Sequence, residues 1–556
     1  MDNFSRSPHV VAPSTELIVV LMSQIFVCLV FVVIFLCQDK ILGACEKPKG
    51  ERELFLSQEK CVVSEAPLIK EVILEGNSEF LTEELKLITV QFLEQPATLS
   101  SLQQIAQAVS KFYWDKGFLT SDAYPLPEQD ISQGVVVIKI IEGQLETIEI
   151  SNSSGEIIEN RLIKDFLRNR AGFPLNVDNL LEGLKLLKTQ HNVTKIESEL
   201  TDGTLPQFST LKLNIEQGNQ FQIQVRGDNY GAFNSGQEQG TLQFTAQDLS
   251  GKGDKLAVNG ILSEGSEQAV INYELPLCLI DCLSLRFHYE IGNSEVIRQP
   301  LETFDIKGEY QKAFLKIRQP IIKSSRTDLE VDLEIGWQRS ETFVLGRRFS
   351  FSPQTTDGLY DIYTMRIGTT WGEKWTTGAL INRGELSIGA DSLSETSDPF
   401  ILFRLQSNWI EKLNDNLLFS LFGSVQLSPS SLGQSFGVLP SEQFPIGGFS
   451  TVPGYDLNLR RGDNGVNIKA DFRQKLLSSS SWGTITLNPY AAFGYVWNKR
   501  NEAILLGPTT LGSAGVNVQW KIKGIDINVG VAIPLTDVSE NFEQTTYFSV
   551  GSSFSF

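Results

Sequence analysis

Groups able to ionise, attack or bind metal are few in this chain and rarely adjacent. Asp328, Glu330, Asp332 and Glu334 stand at every second position. Carboxylates so spaced can relay protons, but on a strand all four point to one wetted face, where they serve solvation and ion selectivity. His9, His191 and His288 are too scattered to argue a metal site or a catalytic triad. Cys28, Cys37, Cys45, Cys61, Cys278 and Cys282 include no paired Cys-x-x-Cys array of the zinc-binding kind. Cys278 and Cys282 flank a short turn and are either a small disulfide or two thiols. The expectation is a protein that is not an enzyme, with no catalytic residues, no metal and no cofactor. Arg461-Gly462-Asp463 is formally an adhesion tripeptide, a three-residue match of the kind chance supplies.

One stretch does ask for a role. Residues 444–466 read FPIGGFSTVPGYDLNLRRGDNGV. Gly447, Gly448, Gly454, Gly462 and Gly465 supply turns, and Pro445 and Pro453 remove backbone donors, so this is no strand. Yet Phe444, Ile446, Phe449, Val452 and Tyr455 are groups that a solvent loop does not need. A long loop with buried-type side chains inside an array of strands is usually functional. We read residues 429–463 as a hairpin folded back into the lumen of a transmembrane β-barrel.

The elements around it have a period of two. Leu329, Val331, Leu333, Ile335 and Trp337 face one way, and the four carboxylates above face the other. Leu283, Leu285, Phe287, Tyr289 and Ile291 alternate in the same manner with Ser284, Arg286, His288 and Glu290. Sixteen such segments, most of roughly 9 to 12 residues, fall between residues 221 and 556, the length of a tilted strand crossing hydrocarbon. An even number of antiparallel strands closes without leaving an unpaired edge. The expected fold class is therefore an all-β transmembrane barrel of 16 antiparallel strands over residues 218–556. A net charge of −19 argues against nucleic acid as a partner. Abundant Phe (34) and Gly (45) with only 3 Met favour strands and turns over helices.

Ahead of the barrel the periodicity changes. Residues 17–37 form one apolar run, followed by Gly43-Ala44-Cys45. We read residues 1–45 as an export signal or N-terminal anchor, with lipidation at Cys45 less favoured by Asp39 and Lys40, and residues 46–66 as a linker. Residues 67–144 then follow the order β-α-α-β-β, with Thr82 and Ser100 or Ser101 as expected helix caps. Residues 145–217 repeat that order.

These ordered motifs carry a resemblance. YWDKGFLTSDAYPLPEQDI and GVVVIKIIEGQLETIEI resemble the first POTRA (polypeptide-transport-associated) domain of two-partner secretion transporters, and the second repeat resembles their second POTRA. LPSEQFPIGGFSTVPGYDLNLRRGDNGV, residues 439–466, resembles the inward loop of that family's sixteen-stranded barrel. The resemblance (TpsB transporters of the ShlB/FhaC/HecB type, Omp85 superfamily) covers residues 67–556. It implies a loop-tip motif at Val452, Pro453, Gly454 and Tyr455, on a framework of Gly447, Gly448, Gly462, Asp463 and Gly465. It also implies a wall partner at Ala492, Phe493 and Gly494. Family members carry Arg at the second tip position and Asp at the wall position. Pro453 and Ala492 replace both, so the buried ion pair is missing as a unit, which costs less than losing one partner. The loop is then expected to be held by packing and by other charges, with Arg460 or Arg461 against the carboxylate row.

The same resemblance implies a C-terminal insertion signal at Phe548, Val550, Phe554 and Phe556, read by the barrel-assembly machinery. Phe112, Tyr113, Phe118 and Tyr124 are candidates for a client groove on the first POTRA, with membership of its core as the alternative for most of them. Function is expected to be secretion of an unfolded exoprotein of β-helical type through the pore, with the barrel a monomer in the outer-membrane lipid of a Gram-negative-type bacterium and the POTRA domains in the periplasm. The competing reading is an assembly factor of the same superfamily, which usually carries more POTRA repeats.

Overall fold

The computed structural model describes residues 66–556, apart from 153–158, 191–192, 278–282, 352–356, 394–398, 430–437, 499–508 and 539–542. The expected export signal, nearly all of the linker, and the Cys278–Cys282 pair lie outside the described residues.

Strand β1 (Glu71–Glu75) buries Val72 and Leu74 by simple alternation. Helix α1 (Thr82–Thr89) leads to α2 (Leu99–Asp115), whose Leu102, Ile105, Ala106, Val109 and Tyr113 recur at three-and-four spacing and are all buried. That stripe packs on the sheet made with β2 (Asp122–Pro125) and β3 (Val135–Ile141). The sheet order is β1-β3-β2, with β1 parallel and β2 antiparallel to β3. A second module repeats this plan with β4 (Gln144–Asn152), α3 (Asn160–Ala171), α4 (Val177–Gln190), β5 (Val193–Asp202) and β6 (Phe208–Gln217). Its order is β4-β6-β5, again one parallel and one antiparallel pair.

Local chemistry sets the ends of these elements. Thr98, not Ser100 or Ser101, caps α2: its hydroxyl accepts from Ser101 N–H at 3.2 Å and Ser101 Oγ accepts from Thr98 N–H at 2.8 Å. Leu81 stands at the cap of α1, and Thr82 is already helical. Glu142 ties the first module's loop to its core, accepting from Ser78 N–H at 2.8 Å, Glu79 N–H at 3.0 Å and the Tyr113 hydroxyl at 2.8 Å. Burial pushes the Glu142 carboxyl up, but these hydrogen bonds outweigh it and hold the group below the usual carboxylate range. The modules are joined directly: Val177 N–H donates to the Gly117 carbonyl at 2.9 Å, and Asn176 Nδ2 to that of Lys116 at 3.0 Å. The N-terminus of α4 therefore meets the C-terminal end of α2, positive end to negative.

Sixteen long antiparallel strands follow among the described residues and close into a barrel. The first (Phe221–Asp228) pairs with the sixteenth (Thr546–Ser555), from Asp228↔Ser549 to Gln222↔Ser555. Alternation divides outside from inside. On the seventh strand (Thr327–Val344) Val331 and Ile335 are 40% and 62% exposed, whereas Asp332 and Glu334 are 2% and 4%. The outward face is apolar and suits lipid; the inward face is polar.

The sixth (Lys307–Lys323) and seventh strands have 17 and 18 residues, longer than the expected 9 to 12. At about 3.3 Å per residue each is over 50 Å long, more than tilt across hydrocarbon requires, so their charged ends stand beyond the apolar band. The end where the sixth meets the seventh touches the second module. Arg170 Nη2 donates to the Lys323 carbonyl at 2.6 Å, and the Glu182 carboxylate accepts from Ser325 N–H and from its hydroxyl, the latter at 2.8 Å.

Candidate functional site

The chain between the eleventh strand (Leu417–Leu427) and the twelfth (Asn464–Ser479) turns into the barrel. It forms a hairpin of its own, Phe444–Ile446 pairing with Arg460–Gly462. Ile446, Val452 and Tyr455 have no exposed surface and pack against Ala492 and Val496 of the thirteenth strand (Gly483–Trp497) and Leu511 of the fourteenth (Thr510–Ile522). Phe493, next to Ala492, is 45% exposed on the opposite face, so the loop is on the lumen side.

The loop tip is seated by contacts that small residues permit. A Cβ on Gly494 would lie 2.9 Å from both Ile446 Cγ2 and Val452 Cγ2, so the hairpin can approach only glycine here. Gly454 has φ +104°, a conformation that favours glycine, and its N–H donates to the Tyr547 hydroxyl at 2.8 Å. The Tyr455 hydroxyl donates to the Gly512 carbonyl at 2.7 Å and accepts from Thr536 N–H at 2.9 Å. Phe449 stacks on Tyr230 with ring centroids 4.2 Å apart. Lys469, which stands opposite Ala492 in the strand register, donates to the Phe449 carbonyl at 2.9 Å. Its ammonium also lies 5.1 Å from the Phe449 ring and 5.2 Å from that of Tyr490.

At the loop's base the contacts are ionic. Glu442 takes Arg366 Nη2 on one oxygen and Arg404 Nη2 on the other, both at 2.6 Å. Arg366 comes from the eighth strand (Leu359–Lys374) and Arg404 from the tenth (Phe400–Asn414). Gln426 Nε2 donates to the carbonyls of Glu442 at 2.9 Å and Asp463 at 3.1 Å, gathering the loop's two ends. The pairs extend along the wall. Arg366 meets Glu334, Arg404 meets Glu385, Arg383 meets Asp332 and Glu385, and Lys316 meets Asp332 and Glu334. Burial pushes the Glu442 carboxyl up, but Arg366 and Arg404 outweigh it and hold it low. Asp456, also in the loop, is raised by burial, against amide donation from Phe233 at 2.7 Å and Leu457 at 2.8 Å.

Val452, Pro453, Gly454 and Tyr455 are all buried at the tip; Val452 and Tyr455 share a cluster with Ala492, Val452 also abuts Gly494, and Gly454 faces Ala532 and Pro534 instead. Gly447 and Gly448 both have positive φ before the tip, and Gly462, Asp463 and Gly465 form the return. The Asp463 carboxylate accepts from Val438 N–H at 2.9 Å and is 2% exposed, so the adhesion tripeptide is not presented at the surface. Phe548, Val550 and Phe554 lie on the outward face at 46%, 48% and 59% exposure, with Phe556 beyond the last strand. His288 meets Glu290 at 3.3 Å and Asn272 at 2.8 Å inside the lumen.

Two expectations need correction. Tyr113 and Phe118 are core residues, 1% and 6% exposed and packed edge-on around Phe80: α2 turns Tyr113 inward with its apolar stripe, and the turn past its end folds Phe118 back, its N–H donating to the Tyr113 carbonyl at 3.0 Å. Only Phe112 and Tyr124 of that set keep part of their surface. Arg460 and Arg461 do not take the carboxylate row either. Arg461 donates to the Pro440 carbonyl at 3.5 Å, while Asp328, Glu330, Asp332 and Glu334 pair with wall cations. Loop and wall have thus exchanged signs relative to the expectation. Glu442, Arg366, Arg404 and Lys469 were missed, although alternation marks the last three: each stands between outward apolar neighbours on its strand.

The family described as haemolysin secretion/activation protein ShlB/FhaC/HecB matches residues 207–518, and the POTRA domain of ShlB type matches residues 68–143. The chain is 21% identical over 469 residues to the outer membrane transporter CdiB of Dickeya dadantii, covering 80% of each protein. It is 23% identical over 509 residues to the heme/hemopexin transporter protein HuxB of Haemophilus influenzae, covering 87% of this chain and 86% of that one. The solved structure of CdiB from Escherichia coli shares the fold with a TM-score of 0.69 at 17% identity, over 90% of this chain and 93% of that chain.

Proposed function

The chain belongs to the haemolysin secretion/activation (ShlB/FhaC/HecB) family, and on that premise we propose how its parts divide the work of secretion. It is an outer-membrane transporter of two-partner secretion, with POTRA structure on the periplasmic side and a sixteen-stranded barrel in the membrane. The partner of such a transporter is a secreted exoprotein.

In our reading, residues 145–217 are a second POTRA domain, and the two modules receive the unfolded client as it arrives in the periplasm. An open sheet edge beside a helix can take an extended chain by strand addition. Client chain then passes through the polar lumen once the hairpin at residues 438–463 moves aside, and its folding outside draws it onward. We take the client to be a β-helical exoprotein, the barrel to act as a monomer without catalysis, and the outward Phe548, Val550 and Phe554 with Phe556 to be what the barrel-assembly machinery reads. The observation that carries the gating role is the seating of Ile446, Val452 and Tyr455, with no exposed surface, on the inner wall. A loop so placed fills space the client must use.

Deleting the chain and comparing the proteins of the medium with those of the outer membrane tests this. Loss of a single exoprotein from the medium is the expected result. A general loss of outer-membrane barrels would replace secretion with assembly.

A further inference from the structure

We propose that Arg366 and Arg404 form a two-armed latch on Glu442 that keeps the inward loop in its resting place. The latch deepens the reading that the loop moves for the client, and rests on it. Among the described residues no ion pair joins the tip to the wall; Val452 meets Ala492 and Gly494 through packing. The charge that binds loop to wall is at the base. Glu442 is 4% exposed, and each oxygen has its own guanidinium at 2.6 Å.

Both arms are held in position before the loop arrives. Arg366 Nη1 is fixed by Glu334 at 2.6 Å, and Arg404 Nε by Gln426 at 2.7 Å. Among the described residues the linked network contains four cations (Lys316, Arg366, Arg383, Arg404) and four carboxylates (Asp332, Glu334, Glu385, Glu442), of which only Glu442 belongs to the loop. Withdrawing the loop leaves the wall with four cations against three carboxylates. Two guanidiniums lose a partner, and the excess positive charge draws Glu442 back. The hairpin therefore has one closed position and a defined electrostatic cost for leaving it.

Single-channel recording of the full-length protein in planar lipid bilayers, in potassium chloride and without client, tests the latch. Glu442→Gln keeps the shape and removes the charge; the double variant Arg366→Gln with Arg404→Gln removes both arms. Each is expected to raise the ratio of open to closed time about tenfold or more. Under a salt gradient their ion selectivity should move in opposite directions, towards chloride for Glu442→Gln and towards potassium for the double variant. Glu442→Asp, which keeps the charge, should stay near the parental closed fraction. Boiling-dependent gel mobility establishes that each variant is a folded barrel. Parental open time in Glu442→Gln, or a selectivity change without a gating change, would overturn the latch. With no client present, a failed latch leaves the secretion reading untouched, and loss of the secretion reading would appear only in the medium.

Discussion

Lys469 does at the tip what a guanidinium does at the base: it is a wall cation reaching for acceptors on the loop. Lys469→Met keeps most of the stem but loses the bond to the Phe449 carbonyl and both ring contacts. The expected cost is about 1–3 kcal/mol of seating free energy, read as faster hydrogen exchange at residues 447–455. Ala492→Asp should produce the same loosening by another route, because the new carboxylate faces Lys469 in register and pulls the ammonium off Phe449. Combining the two leaves that carboxylate buried without a partner, at roughly 3–5 kcal/mol, so the double variant should exceed either single one in exchange rate. If instead the double variant matches Lys469→Met, the introduced carboxylate is not buried at that place.

Asp456 makes a pH prediction. Its carboxyl is raised, so ionisation is less favourable with the loop seated than with it displaced. The penalty is present at neutral pH, and it is relieved as pH falls through the raised value towards that of an ordinary carboxylate. Asp456→Asn keeps an oxygen for the Phe233 and Leu457 amides and removes the charge. The variant is expected to open less often than the parent at pH 7 in bilayer recordings, and the difference should shrink steadily as pH is lowered towards 4.

Among the elements, the thirteenth strand has the narrowest tolerance. Gly494→Val puts methyl groups where Ile446 and Val452 already lie, an overpacking of about 1–3 kcal/mol. The barrel ladder itself is unaffected, so the expected result is normal gel mobility with a raised open fraction. Strands of this kind are legible in sequence because lipid and lumen impose opposite demands on alternate residues. Val331 and Asp332 announce their faces without knowledge of any partner. The caps and the loop contacts are another matter. Thr98 wins over Ser100 and Ser101 because of how the chain enters α2 from Pro96, where Ser101 Oγ also donates to the Pro96 carbonyl at 2.6 Å. Glu442 meets Arg366 across 76 residues and Arg404 across 38. Nothing local to residue 442 indicates either arginine, whereas the neutral pair Pro453 and Ala492 could be read as a missing bond but not as where its replacement lies.

For the whole molecule, three joints among the described residues set how the periplasmic part sits under the barrel: the helix-end contact between Gly117 and Val177, the rim contact of Arg170 and Glu182 with the turn at residues 323–325, and the Glu159 N–H donating to the Gly251 carbonyl at 3.2 Å. Glu182→Ala removes acceptors for Ser325 and should leave barrel stability within about 1 kcal/mol of the parent. The distribution of distances between spin labels on α4 and on that turn should nonetheless broaden. An unchanged distribution would mean that Arg170 and the remaining contacts suffice to hold the second module.

Phe221 and Phe556 exchange a pair of 3.0 Å backbone bonds, so residues from opposite ends of the barrel's sequence are neighbours in the wall. Such a ring closes all or none. Until its final strand, Thr546–Ser555, has paired, the other strands can make only an open sheet with two raw margins, fit to capture any other extended chain it meets. The nascent protein must therefore be escorted in an unpaired state, and removing the last strand should abolish the barrel rather than merely narrow it.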